Sequence, residues 1–303
     1  MCPATRWTLG FNTFWWERLD KAKALHACIS SVVEAGYDAI EFKVDSFGPH
    51  PAKEAIVRAS RAARDAGLIV SNLVILRPLA QPGKAEPSVS EVAEAIRICA
   101  AAEIGALNFS SGAAAEVPAS TPDEWWNPAT RPDPAAWDAL IGALEALTKV
   151  ADAEGVDLAL EACVGQLVCD FGSTMELLAR CDHPRMKLTF DPSHYVLAGQ
   201  DVGVAIRRFG PRIRHVHLKD AVGRAGAFGK DFIFPVLGEG STDWALFFEA
   251  LRDIGYAGVL SVEFESFRFM DLVWHGDPVP AQKLSKQAAD ALMGRYGNEG
   301  SNT

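Results

Sequence analysis

The chain has 303 residues, 49% of them hydrophobic, and a formal net charge of -10 at pH 7. A chain of this length buries a large core, and α/β barrels of this size are commonly one domain, here spanning residues 1–303. The acidic balance excludes a protein that neutralises phosphates along a nucleic acid, because such proteins cluster Lys and Arg; the expected partner is a small molecule.

In chain order, the first run with strand character is Trp7 to Asn12. A repeated unit follows: an Ala-rich helical segment closes on a Gly, and an apolar strand-like run begins within a few residues. It recurs in EAGYDAIEF, DAGLIVSNLVIL, AEIGALNF, AEGVDLALEA, RFGPRIRHVHL and DIGYAGVLSVEF. Gly36, Gly67, Gly105, Gly155, Gly210 and Gly255 are expected just past helix ends, where a left-handed residue closes the last turn. With Met186 to Asp191 added, about eight strands alternate with helices, which makes a parallel sheet with its helices outside. Closure into a single (β/α)8 barrel, a TIM barrel, is expected, since no G-x-G-x-x-G loop follows the first strand.

Two connections are long: the Pro-rich stretch after Ser110, bearing Trp125 and Trp126, and the Gly-rich stretch from Asp220 to Trp244, expected to act as a lid. From Met270 to Tyr296 the chain reads as a C-terminal helical extension that covers a barrel face or an oligomer contact. The six cysteines include no C-x-x-C pair and are expected to be reduced thiols. No run reaches the roughly 18 to 20 apolar residues of a membrane span, and Met1 to Arg6 lacks the order of a secretory signal, so a cytoplasmic location is expected.

Catalytic groups of a barrel converge where its strands end. The polar residues there are Glu41, Asn72, Asn108, Glu161, Asp191, His217 and Glu263. The last four come from consecutive strands, five to eight. Three carboxylates and one imidazole suit Mn2+, Mg2+ or Co2+, with Zn2+ possible, and such buried carboxylates repel one another without a cation.

These motifs, LALEA at Glu161, FDPSHY at Asp191 and His194, HVHLKD at His217 and GYAGVLSVEFE at Glu263, resemble the xylose isomerase-like barrels of sugar isomerases and epimerases over nearly the whole chain. FNTFWW after the first strand and Glu41 of AIEF are weaker matches. The resemblance implies that Glu161, Asp191, His217 and Glu263 hold one divalent metal and that His194 contacts the substrate. It also implies proton abstraction beside the carbonyl of a sugar or keto-sugar, through an enediolate, by a dimer or tetramer. Glu161 and Glu263, from strands separated by two others, form the acid–base pair. Trp15, Trp125 and Arg224 join His194 as expected substrate contacts.

Each assignment has a plainer rival. Asp191 also suits a helix N-cap before Pro192. His215 reads as a satisfied core histidine, and Lys219 and Asp220 orient His217, reach the substrate or are solvated loop charges. Lys43, Arg77, Arg224 and Arg268 resemble ordinary surface cations. Among functions, a lyase that expels a β-substituent, such as a keto-inositol dehydratase or a 3-keto-glycoside-cleaving enzyme, needs the same metal and glutamates. The free-ketose 3-epimerases carry a Glu where Leu167 stands and an Arg where Gly223 stands, which keeps that alternative open. The related three-zinc DNA-repair endonucleases need histidines that the early strands lack. A non-catalytic sugar-binding barrel would need no acid–base pair.

Overall fold

Eight parallel strands alternate with helices and close on themselves. The computed structural model describes residues 7–48, 52–114 and 134–297. The barrel runs β1 (Thr8–Asn12), β2 (Ala39–Lys43), β3 (Ile69–Ile75), β4 (Ala106–Ser110), β5 (Asp157–Glu161), β6 (Met186–Phe190), β7 (Ile213–Leu218) and β10 (Val259–Val262), with β1 paired to both β2 and β10. The connecting helices are α1 (Ala22–Ala35), α2 (Lys53–Asp65), α3 (Ala85–Ala101), α4 (Pro134–Glu154), α5 (Phe171–Arg180), α6 (Pro192–Leu197), α7 (Val202–Phe209) and α8 (Trp244–Asp253). Gly36 ends α1 in the left-handed region at φ 85°, as expected. The junction before β4 departs from that reading: Glu103 takes φ 56° and Gly105 does not take a left-handed φ.

After β10 come α9 (Phe267–Leu272) and α10 (Pro278–Leu292). The C-terminal helical extension is therefore present, and α10 completes the outer ring by packing on α1 and β10. Tyr37 Oη donates to the Gln282 carbonyl at 3.2 Å, and Arg252 of α8 donates to the Tyr296 carbonyl at 2.8 Å.

The stretch after β7, expected to act as a lid, has structure of its own. It contains a two-stranded antiparallel ribbon, β8 (Val222–Gly223) and β9 (Phe232–Ile233), whose Phe232 and Phe234 join Val164, Leu197 and Ala221 in a small separate core. Asp220 anchors it, accepting hydrogen bonds from Gly238 N, Gly240 N, Thr242 N and Oγ1, and Trp244 Nε1. A buried carboxylate with this many donors organises a loop. It does not orient His217.

No helix among the described residues is long and apolar enough to cross a membrane. Cys28, Cys99, Cys163, Cys169 and Cys181 are free thiols. Trp125, Trp126, Cys2 and the side chain of Arg268 lie outside the described residues.

Candidate metal centre

Side chains alternate along a strand, so residues two apart share a face. On β7 this turns His215, His217 and Lys219 inward; at the end of β10 it does the same for Ser261, Glu263 and Glu265. Glu161 ends β5, and Asp191 follows β6 directly. The four expected ligands converge: Glu161, Asp191, His217 and Glu263 each offer an atom within 4.8 Å of the others, and all four are buried. His217 Nδ1 lies 3.1 Å from Glu161 Oε1 and 3.5 Å from Glu263 Oε2.

Asp191 is the N-cap foreseen for it, and it also faces the cluster. Its Oδ1 caps α6 by accepting from Ser193 N at 2.8 Å. Its Oδ2 is buried without an aligned hydrogen bond, although the Lys219 ammonium stands 2.8 Å away. A carboxylate oxygen left this way beside two glutamates and an imidazole fits a divalent cation, and the donor set is one that hard and borderline cations accept.

The structure gives these residues their partners and adds Asn12 and Glu265, which the sequence reading did not single out. Asn12 Nδ2 donates to Glu263 Oε1 at 3.1 Å, and Asn108 Nδ2 donates to Glu161 Oε2 at 3.2 Å, so each glutamate is aimed by an amide. Lys219 Nζ reaches Glu263 Oε2 at 2.6 Å and Glu265 Oε2 at 2.8 Å. It is a buried ammonium at the base of a pocket, between two of the expected ligand carboxylates and a further carboxylate. His194 Nδ1 accepts from Val164 N at 3.2 Å, which leaves Nε2 to carry the proton toward Asp191 at 3.5 Å and Glu161 at 3.8 Å. His215 is the satisfied core histidine expected, 3.1 Å from Glu41.

Electrostatics separate these groups. Burial raises the pKa of Glu161, against the pull of His217. Burial also works against charge on Glu263, but Lys219 and His217 outweigh it and bring its pKa well below the usual carboxylate range. Burial pushes Glu265 up to about 7, with Lys219 opposing. His194 falls to about 4 through burial and the Lys219 charge, so it is neutral. The Cys163 thiol, beside Glu161, is raised by burial and is no nucleophile.

A pocket of about 360 Å³ opens over the cluster, lined by Phe14, Lys43, Gln166, Cys163, His194 and Phe267 together with Glu161, Lys219, Glu263 and Glu265. A larger groove of about 560 Å³ lies outside the barrel between α1 and α2, far from any convergence of reactive groups. Trp15 is not among the pocket's lining residues. It donates to the Phe264 carbonyl at 2.6 Å and packs edge-on against Phe14 and Phe267, which form the aromatic wall instead. Arg224 is exposed on the ribbon and does not line the pocket. Gly223, at φ 107°, has no room for a side chain: a Cβ would meet the Asp231 carbonyl at 2.1 Å. Arg77 is held by Asp45 and Glu91, and Lys43 sits 4.4 Å over the Phe14 ring at the pocket.

The family model described as xylose isomerase-like TIM barrel matches residues 29–293. Among curated proteins, an inosose dehydratase of Lacticaseibacillus casei is 29% identical over 140 residues, 43% of this chain. The match spans about half of that relative's length, 47%. An L-ribulose 3-epimerase of Mesorhizobium japonicum is 27% identical over 274 residues, 86% of this chain and 81% of the relative. Among solved structures, an L-ribulose 3-epimerase superposes with a TM-score of 0.74 at 23% identity, covering 96% of both chains, which shows the shared fold.

Proposed function

Because the chain belongs to the xylose isomerase-like TIM barrel family, we propose that it is a divalent-metal-dependent isomerase or epimerase of a sugar or keto-sugar, moving a proton at the carbon beside the carbonyl. The observation that carries this reading is the convergence of Glu161, Asp191, His217 and Glu263 within 4.8 Å, beneath a pocket that Glu161 and Glu263 line. These four residues would hold the ion, whether Mn2+, Mg2+, Co2+ or Zn2+. When bound, it polarises the substrate carbonyl and stabilises negative charge developing on oxygen.

The chain's own groups supply the rest. Glu161 and Glu263 stand on either side of His217, each steadied by an asparagine; one takes the carbon-bound proton and the other returns one. A neutral His194 presents Nε2–H to a substrate oxygen, and Phe14 and Phe267 exclude water from the sugar's apolar face.

A second reading is a lyase in which the same abstraction expels a β-substituent. It is favoured by Lys219 and Glu265, two proton-bearing groups beside Glu263 that a simple reprotonation does not need. The likeness to inosose dehydratases, over part of their length, points the same way. The test is incubation with Mn2+ or Mg2+ in D2O against ketoses, ketose phosphates, keto-inositols and 3-keto-glycosides, read by NMR. Deuterium entering without loss of a group supports the isomerase or epimerase; loss of water or an aglycone supports the lyase. Absence of exchange with every metal and substrate overturns both.

A further inference from the structure

Below the four ligands, the barrel interior holds a carboxylate that the reaction does not use. Glu41 of β2 is fully buried and is not among the residues lining the pocket over the cluster. Barrel interiors are usually filled by branched apolar residues, so a charge here asks for a reason. Glu41 Oε2 accepts from Ser261 Oγ at 2.8 Å and lies 3.1 Å from His215 Nε2. Both of its oxygens lie 3.3 Å from His217 Nε2. The other nitrogen of that ring, Nδ1, faces Glu161 and Glu263.

We propose that Glu41 is a positioning residue for His217: by accepting the Nε2–H hydrogen bond it fixes the tautomer whose Nδ1 lone pair faces the ligand carboxylates. Glu41 has this role only if the four residues hold a metal, the reading given above. A neutral imidazole has one donor and one acceptor nitrogen, so the partner of one nitrogen decides which is free to bind. A carboxylate is the strongest such partner, and it also makes the ligating nitrogen more basic. Ser261 and His215 act as the clamp: both spend their donors on Glu41 Oε2, which sets the carboxylate's plane and keeps it from turning toward the pocket.

Glu41, His215 and His217 also form a ligand-like group of their own. Metal binding there competes with the Ser261 hydrogen bond to Glu41 and requires Nε2 of His217 to lose its proton. A stoichiometry of one ion per chain is therefore expected, and two would overturn the proposal.

The full chain, labelled with 15N-histidine and loaded with Zn2+, is read by long-range 1H–15N correlation, with His215→Gln and His217→Gln assigning the signals. His217 is expected to carry its proton on Nε2 and the metal on Nδ1; metal on Nε2 overturns the proposal whether or not any Glu41 variant folds. In parallel, Glu41→Ala is expected to bind Co2+ about 10–100-fold more weakly, with an altered visible absorption spectrum. Glu41→Gln, whose amide oxygen still accepts the bond, is expected to recover part of that loss. Folded Glu41 variants with unchanged Co2+ affinity and spectrum would mean a purely structural role and overturn it. A parent protein that binds no divalent metal instead sinks the metal-centre reading itself, and the two failures are thereby told apart.

Discussion

Replacing Lys219 by Met removes the only ammonium seen within 3 Å of the ligand carboxylates among the described residues. Burial opposes the charge on Lys219, but Asp191, Glu263 and Glu265 outweigh it and hold it protonated, with its pKa well above the usual value. Without it, three buried carboxylates lose their counter-charge, a loss of about 3–5 kcal/mol when one partner of a buried pair is deleted. At about 2 °C per kcal/mol for a chain of this size, the melting temperature in EDTA falls by ~6–10 °C. Added metal should more than restore it. In the parent, an incoming cation must share Asp191 Oδ2 and Glu263 Oε2 with Nζ, at 2.8 and 2.6 Å. A divalent ion and an ammonium roughly 5 Å apart at an effective dielectric near 20 repel by about 7 kcal/mol, so the variant binds Mn2+ more tightly, by ~10⁵-fold at most. Lys219 can lean toward Glu265, which makes that figure an upper bound. The assay is scanning calorimetry in EDTA and in saturating Mn2+, with isothermal titration for affinity. The destabilisation should shrink as pH falls, because protonation relieves the carboxylates. A variant that melts with the parent in EDTA, or binds Mn2+ more weakly, refutes the reasoning.

Glu161→Gln and Glu263→Gln keep their hydrogen bonds to Asn108 and Asn12 but lose the proton-transfer oxygen; turnover should fall by about 10²–10⁴-fold with circular dichroism unchanged. Near-parental activity in either would sink the acid–base assignment. His217 is raised well above the usual histidine pKa because Glu263, Glu161 and Glu41 overcome the effect of burial. Metal must displace that proton, so affinity should rise about tenfold per pH unit until pH passes the raised pKa, with proton release visible in buffers of different ionisation enthalpy. A flat affinity between about pH 6 and 8 contradicts it. Arg224→Ala, on the exposed ribbon, should leave KM within about twofold; a large increase would return Arg224 to the substrate.

The barrel was legible because its signals are local. Gly36 ends a helix, the run AIEF follows, and the same unit recurs; each expected ligand sits in its own strand-end motif, so motif order sufficed to foresee that the four converge. What the sequence concealed depends on closure. Asn12 reaches Glu263 only because β1 pairs with β10, 251 residues away, and no local pattern reports that register. Glu265 was findable: like Lys219, it stands two residues beyond an expected ligand, and the period-2 rule turns both into the mouth. Asp220 was misjudged for the opposite reason. One residue further on, it turns away from the site and ties down the ribbon. Trp15 drew notice as a large aromatic, yet its indole is used to hold the Phe264 carbonyl, and the neighbouring Phe14 faces the pocket.

The fate of the deprotonated substrate rests with Lys219 and Glu265. Reprotonation at carbon needs only Glu161 and Glu263. Expulsion of hydroxide or an alkoxide needs a further proton at the leaving oxygen, and the pocket offers, besides His194, the Lys219 ammonium and a Glu265 carboxyl that burial lifts to about 7. Glu265→Gln therefore separates the two chemistries. In a lyase, solvent deuterium still enters the substrate while loss of the leaving group slows by about 10²-fold or more, the usual contribution of a general acid. In an isomerase or epimerase, exchange and net conversion fall together or not at all. The first pattern also predicts that elimination weakens above about pH 7, as Glu265 ionises and loses the proton it donates. An elimination rate that is unchanged in Glu265→Gln would assign the leaving-group proton to Lys219, His194 or water and remove Glu265 from the mechanism.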